Sequence, residues 1–344
     1  LSRKSTYVKQ LKEDGKNLVI LDAGDLLFSS AVLTEVNEQA DKLRAKAILK
    51  GYERIGCNAV NVGGFDLAAG TAYLQQIVDS TEIPFISANI IDSKSGEPIF
   101  PPHHIITEGG VTIGVIGLTN LIPTQIKDVE ISDFIKTGEA QIAELKPKVD
   151  IIVVLANVNR NKNKLMNEVF ADADYIFLSR NTIRTRPGTK QPAHGPFTYG
   201  SNIQGKYLAQ IDLNITALDS PLVDISNLQA QVDNIDRRLK RFQDKDPKTP
   251  LDEIYADQPR ILKLIEEFNQ NRKTYENNLR SAQNTSGYTS VALSRKIGDD
   301  DAILAYVTDI LGQCAALKKH KVQKNLYPNP PGFEERIKKG LKPG

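Results

Sequence analysis

A series of short apolar runs, each ending on a polar residue or a glycine, constrains this chain more than any other feature. The first is NLVILDAGDLLFSS from Asn17, where LVIL leads straight into Asp22, Gly24 and Asp25. NAVNVGG, PFISANI, VTIGVIGLTN, DIIVVLANVNR and DYIFLSR repeat the pattern. Uninterrupted β-branched runs mark strands buried on both faces, and stretches of helical period separate several of them, notably Val36 to Ile55 and TAYLQQIVDS. Strands alternating with helices predict an α/β sandwich. Open α/β sheets hold their ligands beyond the carboxyl ends of the strands, and Asp25, Asn89, Asn120, Asn157 and Asn181 all stand just after such runs. Turn and cap chemistry explains any one of them. Together at one sheet edge, they point to a shared crevice.

At 344 residues the chain is long enough for one large domain with a helical appendage. A net charge of +2 gives no general attraction to nucleic acid or to a membrane surface. Two basic stretches, RRLKRF and the carboxyl tail, lack interleaved aromatics, which argues further against nucleic acid. Cys57 and Cys314 are too few for a disulfide framework and fit no haem-attachment or zinc spacing, although one bridge between them stays open. No apolar run approaches the roughly 18 residues that span a bilayer, and the start at Leu1 resembles no signal peptide. Phosphate loops, dinucleotide fingerprints, nucleophile elbows and zincin helices are absent.

The pattern changes after Ile215. Ile225, Leu228, Val232, Ile235, Leu239 and Phe242 step by three and four, and Ile261, Ile265, Phe268, Tyr275 and Leu279 follow the same seam, with Arg272 at one core-type position. The breaker-rich QDKDPKTPLDE joins the two stretches, so they read as an antiparallel, coiled-coil-like hairpin. Its seam suits either packing on the domain or assembly with a protein partner or a second copy. TSVAL then reads as a last strand, and DDDAILAYVTDILGQCAAL as a helix with acidic residues at its positive end. The tail from Lys318 carries eight Lys or Arg against two Glu, and its prolines and glycines predict an extended segment. The expected units are therefore residues 1–215, the hairpin 216–284, a strand and helix packing back over 285–317, and the tail 318–344.

In their order, these pieces resemble the calcineurin-like metallophosphoesterase domain of the 5′-nucleotidase and UDP-sugar hydrolase family, from about Leu1 to Ile215. YVKQLKEDGKNLVILDAGDLLFSS resembles the segment ending in that family's Gly-Asp ligand motif, which puts Asp25 at the metal-bridging aspartate. GYERIGCNAVNVGGFDLAAG resembles the segment carrying Gly-Asn-His-Glu-Phe-Asp; IPFISANI and GVTIGVIGLTN match the next two strands, and SNIQGKYLAQIDLNI the closing one. The resemblance implies a four-layer metallophosphoesterase-like sandwich carrying an added carboxyl-terminal helical hairpin. It also implies a divalent metal (Mn, Zn or Ca) if the ligands survive.

Most of those ligands do not. Gly63 and Gly64 run straight into Phe65 and Asp66 with no Asn-His between them, Asn157 stands for a histidine, and Ser179, Arg180, Asn181 and Thr182 stand for Gly-His-x-His. No cofactor is therefore expected. The predicted remnant site comprises Asp22, Asp25, Asp66, Asn157, Asn181 and the loop residue His194, and Arg180, Arg184 and Arg186 form an alternative anion-binding set. By resemblance the chain matches a ligand-poor, exported branch, periplasmic or extracellular, associated with multihaem c-type cytochromes. That implies a non-catalytic scaffold with a cytochrome among its partners. A phosphate-ester hydrolase with a rearranged site and an anion-binding module remain the other two readings.

Overall fold

The computed structural model describes residues 1–180, 182–192, 195–218 and 220–326. Helix α1 (Ser2–Glu13) leads into β1 (Leu21–Asp22), α2 (Glu38–Ile55), β2 (Ala59–Asn61), α3 (Thr71–Val78) and β3 (Phe85–Ile86). Strands β4 (Ile90–Asp92), β5 (His103–Glu108), β6 (Val111–Thr119) and β7 (Val129–Ile131) precede α4 (Phe134–Leu145) and β8 (Ile151–Asn157). Next come α5 (Asn163–Val169), β9 (Tyr175–Leu178), β10 (Phe197–Gly200), β11 (Tyr207–Asn214) and β12 (Leu222–Asp224). Helices α6 (Ile225–Gln243), α7 (Leu251–Ile254) and α8 (Pro259–Ser281), strand β13 (Asn284–Ala292) and helix α9 (Asp301–Leu326) complete the described chain.

The alternation read from sequence builds a five-stranded sheet, β10-β9-β8-β6-β5, parallel except at the β5 edge. Its central strand β8, IIVVLAN, is buried at every residue. On one face lie α4 and α5, where Ile142, Leu145, Met166 and Phe170 pack against Ile116, Leu118 and Val154. The opposite face meets a second layer made of two short sheets, β1-β2-β3 and β11-β13-β12. There Tyr199 stacks on Tyr288 at 4.3 Å and the Tyr175 hydroxyl donates to Ser286 Oγ at 2.7 Å. Helices α2 and α3 cover the outer side of β1-β2-β3, and α9 lies along α2 and α1. The result is the four-layer α/β sandwich expected from sequence.

Several local expectations change. The run LVIL, as apolar as the core of β8, is only half-buried throughout, and its strand is limited to Leu21–Asp22, with β2 its one neighbour among the described strands. Strands β11 and β13 lie side by side in the sheet but on either side of the hairpin in the chain. Residues 225–281 are thus an insertion into the sheet rather than an appendage to it. Helix α9 runs to Leu326, past Lys318, because KKHKVQKN contains no breaker before the first proline of the tail. Residues 327–344 of that tail lie outside the described residues. Cys57 and Cys314 are both buried and free, which removes the open disulfide.

The hairpin closes on its own seam. Val232, Ile235 and Ile265 are buried, while Ile225, Leu228, Leu239, Phe242, Phe268, Tyr275 and Leu279 are half-buried between α6, α8 and β13. Arg272 escapes the apolar seam by pairing with Asp236 across the hairpin at 2.8 Å. No helix among the described residues is long and apolar enough to cross a membrane.

Candidate functional site

The loops after β1, β2, β8 and β9 converge beyond the strand ends, as the parallel order dictates. Asp25 is the centre of this cluster. Its Oδ1 accepts from the Phe65 amide at 2.7 Å, and its Oδ2 lies 3.1 Å from Arg180 Nε. The same guanidinium stacks on the Phe65 ring at 4.1 Å. Asp25 and Arg180 both hold left-handed backbone, φ 60° and 55°, which costs a residue bearing a Cβ about 1–2 kcal/mol. Burial raises the Asp25 carboxyl above its ordinary range, opposed by the Phe65 amide, the Asn157 amide and the Arg180 charge.

The glycine pair explains how these loops come so close. A Cβ on Gly63 would lie 2.4 Å from the Asp25 amide nitrogen and 2.9 Å from Asn157 Nδ2, so no larger residue fits. Gly24 adopts φ +102° directly over the same loop. Asn157 then bridges the strand ends, accepting from Gly64 N at 3.1 Å and donating to Ser179 Oγ at 2.6 Å.

The other carboxylates are engaged internally. Asp66 is fully buried and accepts from three amides, Asp25 at 2.9 Å, Leu27 at 2.8 Å and Gly63 at 2.8 Å. It staples the two loops and is no free ligand. Burial first, then the Asp25 charge, pushes its carboxyl up to about 7. Asp22 accepts from Gly24 N at 3.0 Å and from the Tyr52 hydroxyl at 2.8 Å; Lys4 Nζ donates to that hydroxyl at 2.6 Å. Burial lowers the Lys4 ammonium from its ordinary value, with Asp22 pulling it back up. Two cations, Arg180 and Lys4, thus stand beside Asp25 and Asp22, two of the carboxylates that line the cleft.

Among the described residues the donor set does not fit a two-metal centre. No group of three His, Cys, Asp or Glu converges among them, and a guanidinium already pairs with Asp25 Oδ2. Asn89 is buried, donating to Thr119 O at 2.6 Å and accepting from Thr119 N at 2.9 Å, and Asn120 accepts from Asn159 N at 2.9 Å; both tie distant segments together, and neither lines the cleft. The three arginines do not share a site: Arg184 stacks on Tyr207 at 4.1 Å, Arg186 is exposed, and neither lines the cleft that Arg180 lines. Asn181 and His194 lie outside the described residues. Sequence reading missed Lys4 and Tyr52, which come from helices α1 and α2 and carry no motif.

No protein-family model matches the chain. Its sequence relatives include the Bacillus subtilis endonuclease YhcR, 25% identical over 68% of this chain and 20% of that protein. A 5′-nucleotidase of Vibrio cholerae is 29% identical over 47% of this chain and 30% of its own length. The chain thus spans less than a third of these curated relatives. Among solved structures, Bacillus subtilis YfkN, a calcineurin-like phosphoesterase, superposes with a TM-score of 0.63 at 14% identity, over 93% of this chain and 90% of that one. The fold is that of the calcineurin-like phosphoesterases. A Thermus thermophilus 5′-nucleotidase precursor matches at TM-score 0.50 and 18% identity, over 64% of this chain and 47% of that one.

Proposed function

We propose that this chain is a phosphoesterase-fold protein that does not hydrolyse phosphate esters and serves as a binding or scaffold subunit of an exported assembly. The observation that carries this is the Arg180–Asp25 ion pair at 3.1 Å. Metal-assisted hydrolysis needs divalent cations held by vacant carboxylates and imidazoles. Here a guanidinium already pairs with Asp25, the carboxylate that stands where the resemblance puts the metal-bridging ligand. By resemblance the proposal extends to an exported location and a multihaem cytochrome as partner.

A second reading rests on the relatives, whose names are those of an endonuclease, 5′-nucleotidases and cyclic-nucleotide phosphodiesterases. On it, the cleft would hydrolyse nucleotides or other phosphate esters. One experiment separates the two. The purified chain is incubated with Mn²⁺ and Zn²⁺, freed of loose ions, weighed for retained metal by plasma mass spectrometry and assayed on nucleoside monophosphates and a chromogenic phosphodiester. The proposal expects no retained metal and no turnover. Turnover that disappears in Asp25→Ala would establish the hydrolase instead.

A further inference from the structure

Helix α9 packs along α2 and α1 with one of its sides. Ile303 and Cys314 on that side are 3% and 2% exposed, the Cys314 thiol donates to Ala40 O at 3.2 Å, and the Arg54 guanidinium lies 5.1 Å from the centre of the Tyr306 ring. A surface helix with one buried side ordinarily carries polar residues on the other. On the outer side of α9, however, Leu304 and Leu311 are 41% and 51% exposed, and Ala305 and Ala315 are exposed beside them. None of these residues lines the cleft at Asp25. Two apolar sides on one helix call for two partners, and the described chain supplies one.

The outer side has an order that names the second partner. Asp301, Leu304, Thr308, Leu311, Ala315 and Lys318 step by three and four along α9, so they form one stripe about 26 Å long at about 1.5 Å per residue. Five of the six are exposed and Lys318 is half-buried. Laid against a second α9 running the other way, the stripe complements itself: Asp301 of one copy faces Lys318 of the other, Leu304 faces Ala315, and Thr308 faces Leu311. Each leucine meets a smaller side chain, unlike charges close both ends, and the two helix dipoles oppose. Parallel pairing would instead set Asp301 against Asp301 and Lys318 against Lys318. Gly312 flanks the stripe, and nothing described lies within 4 Å of where its Cβ would stand. Packing inside the chain therefore does not require this glycine, which weakens a helix interior, whereas a second helix passing close beside it would.

We propose that the outer stripe of α9 is a self-association surface, on which a second copy of this chain docks its own α9 antiparallel to form a two-fold symmetric dimer. A two-fold axis places the same patch on both copies, so every contact in the stripe occurs twice, and a patch that complements itself is what such an axis demands. One helical stripe is smaller than the roughly 800 Å² per partner of a standard interface, so the dimer is a weak one that dissociates in the micromolar range. The inference is independent of whether the site at Asp25 hydrolyses anything.

The test is sedimentation velocity of the whole chain from about 1 to 200 µM, the range over which a weak interface associates. The parent is expected to pass from monomer to dimer. Leu311→Glu, at a side chain the single chain already leaves exposed, is expected to stay monomeric. Asp301→Lys and Lys318→Asp each set like charges together at both ends of the stripe, and each raises the dissociation constant on the order of tenfold. An equimolar mixture of those two variants, or the double variant, restores unlike pairs and recovers the dimer. Asp309→Lys, outside the stripe, changes nothing. A chain that stays monomeric throughout would overturn the proposal and leave the stripe to residues 327–344 or to a different protein. A dimer that persists in Leu311→Glu would place the contact elsewhere, and single charge variants that associate as the parent does would refute the antiparallel register; either result overturns the proposal.

Discussion

At the scale of single residues, the site is decided by where two cations sit. Removing the Arg180 side chain leaves the Asp25 carboxylate, 9% exposed, with no charge partner. Breaking a pair of this intermediate burial costs about 1–3 kcal/mol, between the surface and buried limits. Arg180→Gly also relieves the left-handed strain, so it is expected to be more stable than Arg180→Ala by about 1 kcal/mol, measured by urea unfolding. Asp66→Asn is expected to cost about 1–3 kcal/mol, because an amide nitrogen must then face one of three backbone donors and leave it unbonded. This difference also depends on pH. The native Asp66 carboxyl binds its proton more tightly than the unfolded one, being raised from 3.8 to about 7. Its contribution is therefore full below the ordinary value and lost as the pH rises through about 7, so the stability of the parent relative to Asp66→Asn should fall across that window. A difference flat in pH from 4 to 8, the range bracketing that shift, would refute the assignment. Asp25 and the glycine pair were legible in sequence as a loop stripped of ligands. The Lys4–Tyr52–Asp22 chain was not, since hydrogen bonds between residues far apart in sequence leave no local pattern.

At the scale of elements, the hairpin shows which of its forces dominates. Ile235 is 7% exposed in the seam, and truncation to alanine is expected to cost about 2–4 kcal/mol through lost burial and the cavity left behind. The Arg272–Asp236 pair has side chains 42% and 46% exposed, so Arg272→Ala should cost less than about 0.5 kcal/mol. Unfolding of both variants, followed by circular dichroism, checks the order; equal losses would show that the seam is not what holds the hairpin. Heptad spacing made this pairing readable, because side-chain period is a local property. Spacing could not tell whether the seam would close within the chain or on a partner. The packing of α6 on α8 and β13 closes it within the chain.

At the scale of the whole molecule, the two ends of the described chain hold each other. Ser5 Oγ donates to Asp300 at 2.7 Å, Lys9 pairs with the same carboxylate at 2.6 Å, and Ser2 Oγ donates to Asp299 at 2.5 Å. Asp300 also caps α9 by accepting from the Ile303 amide at 3.2 Å. The Lys9 and Ser5 contacts hold its carboxyl down at about 2. A lowered native value stabilises the fold above the ordinary 3.8 and loses that contribution as the pH falls through about 2. Acidification should therefore loosen α1 from α9 before the central sheet opens. Hydrogen exchange at pH 3 compared with pH 6 would show faster exchange in 2–13 and 301–318 than in β8, and Asp300→Asn should produce the same loosening at pH 6. Protection unchanged in both would show that the apolar contacts of α9 with α2 suffice.

The sequence by itself determined the succession of strands along the chain, the alternation with helices, the hairpin and the poverty of the metal ligands, because each follows from residue type and short-range spacing. Tertiary structure alone decided that Arg180 fills the charge beside Asp25, that Asp66 is a staple, and that Tyr52 and Lys4 reach Asp22. Those outcomes depend on which distant backbone and side-chain groups reach one another, and a buried charge has no energy until its neighbours are fixed.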